Sequence, residues 1–146
     1  MKKILILNGP NLNLLGSREP TQYGHETLAD VEANCQRVAQ KWDCQTQAFQ
    51  SNIEGELINA IHQAGVEFKN GSLAGIVFNP GAYTHTSIAL HDAIKGVDVP
   101  VIEVHISNVH ARESFRHHSY ISPVAAGTIV GMGTKGYELA IQFLLD

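Results

Sequence analysis

The sequence contains few of the residues on which several protein classes depend. It has two cysteines, Cys35 and Cys44, in 146 residues. Two cysteines cannot supply the disulfide framework of a small secreted domain. Cys35 falls on a predicted helix face and Cys44 at a predicted strand start, outside the polar loops. We therefore interpret both as reduced packing residues of a cytoplasmic protein, with a disulfide or a catalytic thiol as the alternative.

Positive charge and long apolar runs are also scarce. The 10 lysines and arginines are outnumbered by 14 acidic residues, which gives a net charge of −4. This balance argues against nucleic acid or an anionic membrane surface as the main partner. No apolar stretch approaches the roughly 20 residues of a membrane span, and the aliphatic run 4–7 is too short for the core of a signal peptide. We therefore expect a cytoplasmic protein that has no membrane partner.

The residues that are present indicate a globular α/β protein. Hydrophobic residues make up 44% of the chain and charged residues 16%, which is typical of a folded domain. The length fits one domain that spans residues 1–146. Apolar runs predict strands at residues 4–7, 46–49, 73–78, 99–104 and 127–130, and helical spacing predicts helices at 28–42, 53–64, 86–95 and 137–144.

The alternation of these elements defines the fold class. Strands that alternate with helices indicate a parallel sheet with helices on both faces. Five strands favour a flavodoxin-like doubly wound sheet, and the length excludes an eight-unit barrel. Thr27 and Asp30 resemble a helix-capping pair at the start of the first helix.

A long polar segment, residues 8–24, separates the first strand from the first helix. Such loops usually have about 2–6 residues, and a long one after a strand commonly carries binding or catalytic groups. This segment holds Asn11, Arg18 and Tyr23 among glycine and proline breakers. We interpret it as a functional loop in which a tyrosine beside an arginine takes part in catalysis.

Further polar side chains follow the ends of the predicted strands. They are Asn8, Asn11, Asn79, Glu103, His105 and Ser107, with Arg112 and Arg116 soon after. In an open parallel sheet, ligands bind outside the carboxyl ends of the strands. Loops that converge on this edge with Asn, His, Ser and Arg indicate a site for a small polar substrate.

Single residues of this set remain ambiguous from sequence alone. Asn11 could be a turn residue, because asparagine is common there for backbone reasons. Asn79 could end its strand before a proline, and His105 could be a buried structural histidine. We favour the functional interpretation because all three fall at one edge of the predicted sheet.

The spacing of two residue pairs predicts which side chains share a face. Glu103 and His105 alternate in phase, so they are expected on the same side of their strand, where a carboxylate fixes an imidazole tautomer and supports proton transfer. Arg112 and Arg116 are four residues apart and would share one face of a helical turn. That face would either bind an anion or be solvated.

Motifs for metals and nucleotide cofactors are not found. The sequence has neither HExxH nor a P-loop, and His85 and His91 are six residues apart, which would place them on different faces of a helix. Residues 131–136 match GxGxxG but lie between the last strand and the last helix. We interpret this match as a tight connection, and we expect neither metal nor cofactor.

Five segments together carry a family resemblance. They are ILNGPNLNLLGSREP at 6–20 with Tyr23, QSNIEGELI at 50–58, NPGAYTHTS at 79–87, EVHISN at 103–108 and RESFR at 112–116. In this order they resemble type II 3-dehydroquinate dehydratase over essentially the whole chain. The resemblance implies a flavodoxin-like, cofactor-free lyase that dehydrates 3-dehydroquinate reversibly. It also implies a homododecamer built as a tetramer of trimers, with the active site close to a subunit interface.

The resemblance also implies roles for the catalytic residues. Tyr23 would remove the proton alpha to the ketone, and His105 would protonate the departing hydroxyl. Arg18 would lie beside Tyr23 on a mobile lid. Asn11 would help to hold a water that stabilises the enolate, and Glu103 would orient His105.

The remaining roles concern binding. The resemblance implies that the substrate hydroxyls are bound, or their binding organised, by Asn79, His85, Asp92 and Arg116. Ile106, through its backbone amide, and Ser107 would receive the carboxylate. Arg112 would be a loop or lid partner.

Physical chemistry supports this division of labour. Tyrosine, with a pKa of about 10, is a poor base at neutral pH unless a nearby cation favours its phenolate. Arg18, five residues earlier, is the available cation. Dehydration through a lysine Schiff base is the other route. No lysine lies at the carboxyl end of any of the first four predicted strands.

Two other classes of protein share the predicted fold. A flavodoxin-type FMN carrier would need a phosphate-cradling loop and stacking aromatics, whereas the loop after the first strand has leucine and asparagine. A scaffold without activity would not need Tyr23, Arg18 and His105 together. A variant that serves quinate breakdown instead of aromatic biosynthesis would look much the same in sequence.

Overall fold

Five parallel strands form the centre of the protein. The computed structural model describes residues 2–17 and 25–146. Within that part of the chain the strands are β1 (Lys3–Asn8), β2 (Gln45–Gln50), β3 (Leu73–Asn79), β4 (Val101–His105) and β5 (Gly127–Val130). They are hydrogen-bonded in the order β2-β1-β3-β4-β5, and every pair is parallel. This is the flavodoxin-like order, so the predicted fold class is confirmed.

Helices cover both faces of the sheet. The α-helices of the described residues are α1 (Leu28–Ala39), α2 (Glu54–Lys69), α3 (Ile88–Lys95) and α4 (Lys135–Leu145). One core cluster joins α1 and α4 to Ile4 and Ile6 of β1, and a second joins α2 and α3 to Leu5 and Leu7. Alternate residues of the same strand thus point into opposite cores, which explains why β1 is an unbroken apolar run.

Local signals fix where several elements begin. The Thr27 side chain accepts a hydrogen bond from the Asp30 backbone N–H at 3.2 Å, and Asp30 accepts from the Thr27 N–H at 3.0 Å. This capping box, predicted from sequence, satisfies two amide groups at the start of α1. Ser87 caps α3 in a similar way by accepting from the Leu90 N–H.

Two predicted features differ in detail. The first helix ends at Ala39 and continues as a 3-10 turn, Gln40–Trp42, instead of remaining α-helical to residue 42. Arg112 and Arg116 do not share a helix face. Arg112 follows the 3-10 turn Val109–Ala111, and Arg116 ends a separate turn, Ser114–Arg116. Residue 112 itself is extended, which breaks the helical path between the two arginines.

The sheet order creates a crevice between β1 and β3. The chain leaves β1 towards β2 on one side and returns to β3 on the other, so the loops after β1 and β3 diverge. Asn8 and Asn79, the last residues of these strands, are register partners. A Cβ on Gly9 would lie 2.3 Å from the Pro80 carbonyl oxygen, so only glycine allows the two loops to approach this closely.

Three further predictions concern the two cysteines, the GxGxxG match and membrane-spanning helices. Cys35 and Cys44 are buried and free, as predicted, and burial together with nearby acidic groups raises the pKa of the Cys35 thiol to about 12. The GxGxxG match is the connection from β5 to α4, with Gly131 and Gly133 at positive φ. None of the helices described is both long and apolar enough to cross a bilayer.

Candidate active site

A cavity of about 150 Å³ lies at the carboxyl ends of the central strands. Its walls come from the loops that follow β1, β3 and β4. The cavity brings together most of the described residues that the sequence singled out: Asn11, Asn79, His85, His105, Ile106, Ser107, Arg112 and Arg116. The predicted convergence of separate polar loops on one sheet edge is therefore observed.

Glu103 and His105 form the central pair of this site. Both belong to β4, two residues apart, and their side chains lie on the same side of the strand as predicted. His105 Nε2 is 2.6 Å from Glu103 Oε2. Glu103 is completely buried and His105 is 7% exposed, so the pair interacts in a largely water-free environment.

Hydroxyl groups surround the Glu103 carboxylate. Thr84 and Ser119 donate to Oε2 at 2.5 and 2.9 Å, and Ser122 donates to Oε1 at 2.5 Å. Burial alone would raise the pKa of this carboxyl. The hydrogen bond and charge of His105, with the hydroxyls of Ser122 and Thr84, instead lower the pKa from its ordinary 4.5 to about 2. Glu103 is therefore a permanent anion beside the imidazole at neutral pH.

This pairing determines which His105 atom can react. Nε2 is engaged by Glu103, so Nδ1 is the ring nitrogen left to exchange a proton with a ligand in the cavity. A carboxylate that accepts from one ring nitrogen fixes the tautomer and the orientation of the ring. The geometry is that of a general acid held in place by an anion.

His85 is a second imidazole in the same cavity, but its environment differs. Its ring stacks on that of His105 with centroids 6.4 Å apart, and Nδ1 donates to the His118 carbonyl oxygen at 2.8 Å. Burial lowers the pKa of His85; the His118 carbonyl opposes the shift, while the charges of His105 and Arg116 add to it. His85 is thus neutral at pH 7, with Nε2 available to bind a hydroxyl group.

Two arginines also line the cavity. Arg112 Nη1 lies 3.4 Å from the Ser107 hydroxyl, and Arg116 Nε is 3.0 Å from Glu113 Oε1. Although the two arginines come from different turns, both line the cavity with Ile106 and Ser107. Two guanidinium groups beside a small cavity favour a ligand that carries a carboxylate.

The backbone of Asn11 adopts the turn conformation that was one of its two interpretations. Its φ of 69° places it in the left-handed region, which asparagine tolerates better than most residues. Its backbone N–H donates to Asn52 Oδ1 at 3.0 Å, which ties the loop after β1 to the loop after β2. Asn11 is therefore a turn residue that also lines the cavity.

Two of the predicted site residues that the structure describes, Glu103 and Asp92, are not among the cavity-lining side chains. Arg18 and Tyr23 lie outside the described residues. Asp92 is on α3 with a side chain that is 71% exposed, and its described partner is His91, at 3.1 Å from ring Nδ1 to Oδ1. Within one subunit, Asp92 does not line the cavity around His105.

The structure also reveals polar groups behind the site that the sequence did not indicate. Ser119 and Ser122 lie in the irregular segment between β4 and β5, where no periodicity marks them. Thr84 stood inside a recognised motif without an assigned role. Tyr137 begins the apolar spacing of the last predicted helix, and its hydroxyl bonds to both Asn8 and Asn79. A buried tyrosine whose hydroxyl must find a partner was the available signal.

Across residues 2–17 and 25–146, no three His, Cys, Asp or Glu side chains come together in an arrangement that could hold a metal ion.

A doubly wound α/β sheet with a carboxylate–imidazole pair and paired arginines at its switch point defines an α/β enzyme that performs acid–base chemistry on a small anionic substrate. Comparison with known families specifies which kind. The family model described as Dehydroquinase class II matches residues 2–145, and the chain belongs to this enzyme family.

Individual relatives agree over almost the full length. The 3-dehydroquinate dehydratase of Variovorax paradoxus (strain S110) is 68% identical over 145 residues, which cover 99% of each chain. That of Marinomonas sp. (strain MWYL1) is 66% identical and covers 99% of this chain and 97% of its own. The crystal structure of type II dehydroquinase from Butyrivibrio crossotus DSM 2876 superposes with a TM-score of 0.93 at 45% identity, covering 99% of this chain and 98% of that one.

Proposed function

We propose that this protein is a hydro-lyase that converts 3-dehydroquinate reversibly into 3-dehydroshikimate through an enolate intermediate, without a Schiff base. It would serve the shikimate pathway of aromatic amino acid biosynthesis in the cytoplasm. The observation that carries the proposal is the Glu103–His105 pair in an arginine-lined cavity of a chain that belongs to the class II dehydroquinases. The proposal takes residues 1–146 as one catalytic domain.

The proposed reaction divides between two residues. Tyr23, as phenolate, removes the proton alpha to the ketone, and the C–H electrons form the enolate. As the ketone re-forms, the electrons form the carbon–carbon double bond and the hydroxyl leaves with a proton from His105 Nδ1 as water. The Glu103 carboxylate, 2.6 Å from Nε2, orients the imidazole for that transfer.

Substrate binding would use the rest of the cavity. The carboxylate would be received by Ser107 and the Ile106 backbone amide, next to the two arginines that line the same wall. The hydroxyls would be bound by Asn79, His85 and Arg116. Asn11 would hold a water against the enolate oxygen, which is the position where negative charge develops.

A direct assay tests the function. The product is a conjugated enone, so its absorbance should rise when the purified protein meets 3-dehydroquinate, with no added metal or cofactor. Among the described residues no lysine lines the cavity, so borohydride added with substrate should leave the protein unmodified and active. No absorbance change would exclude the proposed activity, and covalent trapping would exclude the proposed route.

Arg18 is expected to activate Tyr23. Replacing Arg18 with Ala removes the cation that favours the phenolate, and a change of 1–2 pKa units corresponds to about a 10- to 100-fold lower kcat at pH 7. The acidic limb of the pH profile, on which activity rises as the phenolate forms, should move upward by the same amount. Arg37→Ala, a change to an exposed arginine on α1, is the control. Unchanged turnover in Arg18→Ala would contradict this role.

The assembly proposed for the protein is a homododecamer, a tetramer of trimers. Its support is family membership together with the position of Asp92, which is exposed and does not line the cavity of its own subunit. Asp92 can contribute to binding if it reaches the site of a neighbouring subunit. A stable, fully active monomer in sedimentation experiments would exclude this arrangement.

A further inference from the structure

A buried chain of hydrogen bonds runs behind the cavity and connects three elements. Tyr137, in the first turn of α4, is fully buried between the ends of β1 and β3. Asn79 Nδ2 donates to the Tyr137 hydroxyl oxygen at 2.9 Å, and the Tyr137 hydroxyl donates to Asn8 Oδ1 at 2.6 Å. The phenol thus joins the two strand ends that define the switch point of the sheet.

The direction of every bond in this chain is fixed. The Gly81 backbone N–H can only donate, and it donates to Asn79 Oδ1 at 3.1 Å. The amide nitrogen of Asn79 must therefore face Tyr137. Because this nitrogen donates, the phenol oxygen accepts, and its own proton is directed to Asn8. Burial raises the pKa of Tyr137, so the phenol keeps that proton throughout the neutral range.

The Tyr137 hydroxyl contributes differently to the orientation of the Asn79 and Asn8 side chains. Asn79 lines the cavity, and its amide orientation is held at Oδ1 by the backbone and at Nδ2 by Tyr137. Asn8 precedes the loop that carries Asn11. Within the described residues its Nδ2 is buried without a partner, so the bond to Tyr137 is the one that orients its side chain.

We infer that Tyr137 is a positioning residue of the reaction: its hydroxyl holds the Asn79 amide, and with it one substrate contact, in the orientation required in the cavity. This inference rests on the proposed function. One NH of Asn79 Nδ2 is held by the phenol and the other remains for a substrate hydroxyl. A phenylalanine would fill the same apolar space beside Cys35 and Ala140 of the shared core cluster but leave the Asn79 amide held by the Gly81 N–H alone.

The test is a double-mutant cycle in kcat/KM. Tyr137→Phe is expected to lower kcat/KM about tenfold, and Asn79→Ala to lower it at least as much. Combined with Asn79→Ala, the Tyr137→Phe change should cost less than about twofold more, because its effect acts through the missing amide. Ile141→Val, a buried change one helical turn along α4, is the control; it should reduce stability with kcat/KM within twofold of wild type.

Two outcomes would overturn the inference: Tyr137→Phe with kcat/KM within twofold of wild type, or an equal loss with and without Asn79. If Tyr137→Phe does not fold, Asn8→Ala, which removes the acceptor of the phenol proton, enters the same cycle under the same criteria. Exchange of the Asn79 side-chain NH₂ protons, followed by NMR, gives a readout independent of activity. These protons should be protected in the wild type and exchange at least tenfold faster in Tyr137→Phe; equal rates would also overturn the inference. Wild-type protein without turnover would contradict the proposed function but leave this NMR result interpretable.

Discussion

Replacing His105 with asparagine is expected to lower kcat about 10³-fold while the protein remains folded. Asparagine is smaller and fits at the same strand position. Its side-chain amide is not acidic enough to protonate the departing hydroxyl. A positioned general acid contributes about 10²–10⁴-fold, and the buried, anion-paired environment of His105 favours the upper part of that range. Initial rates from the enone absorbance, with circular dichroism to verify folding, provide the measurement.

His85 provides a matched control for this prediction. It lines the same cavity, and its ring stacks 6.4 Å from that of His105, but its Nδ1 is bonded to a backbone carbonyl instead of a carboxylate. His85→Asn should therefore act mainly through KM, with a loss in kcat at least tenfold smaller than that of His105→Asn. Equal losses in kcat from the two variants would show that His105 is not the distinctive acid of the site.

The fold was predictable because each β–α unit carries its own local signal. The buried run of β1, the apolar spacing of α1 and the Thr27–Asp30 capping pair are patterns that span only a few residues, and tertiary packing agrees with them. A fold can be predicted from sequence when local preferences agree with the global structure in this way. The five predicted strands favoured the flavodoxin-like class, and the structure has the strand order of that class, β2-β1-β3-β4-β5.

The front of the site was predictable for a related reason. Parallel strands place their carboxyl ends on one edge, so residues that follow β1, β3 and β4 in sequence must converge in space. The period of two in a strand placed Glu103 and His105 side by side. The roles of individual residues required the family resemblance, because a histidine at a strand end is ambiguous by itself.

The support behind the site could not be predicted, because long-range contacts determine it. The segment between β4 and β5 has no apolar period. Its path is fixed by the Ser119 and Ser122 hydroxyls on Glu103 and by the Tyr120 N–H on the Thr84 carbonyl. The expected helix face of Arg112 and Arg116 was wrong because residue 112 is extended and separates the turns Val109–Ala111 and Ser114–Arg116.

Replacing Glu103 with glutamine is expected to lower kcat about 10²-fold or more. The hydroxyls of Thr84, Ser119 and Ser122 can rotate to accept from an amide NH₂, so the change preserves shape and most of the hydrogen bonds. The amide oxygen can still accept from His105 Nε2–H, but the amide carries no negative charge beside the imidazole ring. The variant therefore isolates the contribution of the carboxylate charge to catalysis. Glu67→Gln, which removes a carboxylate paired with Lys3 at the amino end of the sheet, should keep kcat within twofold of wild type.

The pH dependence of the free energy of unfolding provides a second test of the Glu103→Gln variant. Because the folded pKa of Glu103 is lowered from 4.5 to about 2, the carboxylate stabilises the folded state at every pH above about 4.5, and this contribution is lost as the pH falls towards 2. The difference in free energy of unfolding between wild type and Glu103→Gln should therefore be largest near pH 7 and shrink steadily below pH 4.5. Urea unfolding at pH 7, 5 and 3.5 measures it. Two results together would contradict this prediction: a difference in free energy of unfolding that does not change with pH, and a kcat of Glu103→Gln within tenfold of wild type. They would mean that the Glu103 carboxylate does not assist His105 and that the surrounding hydroxyl groups do not stabilise its charged form.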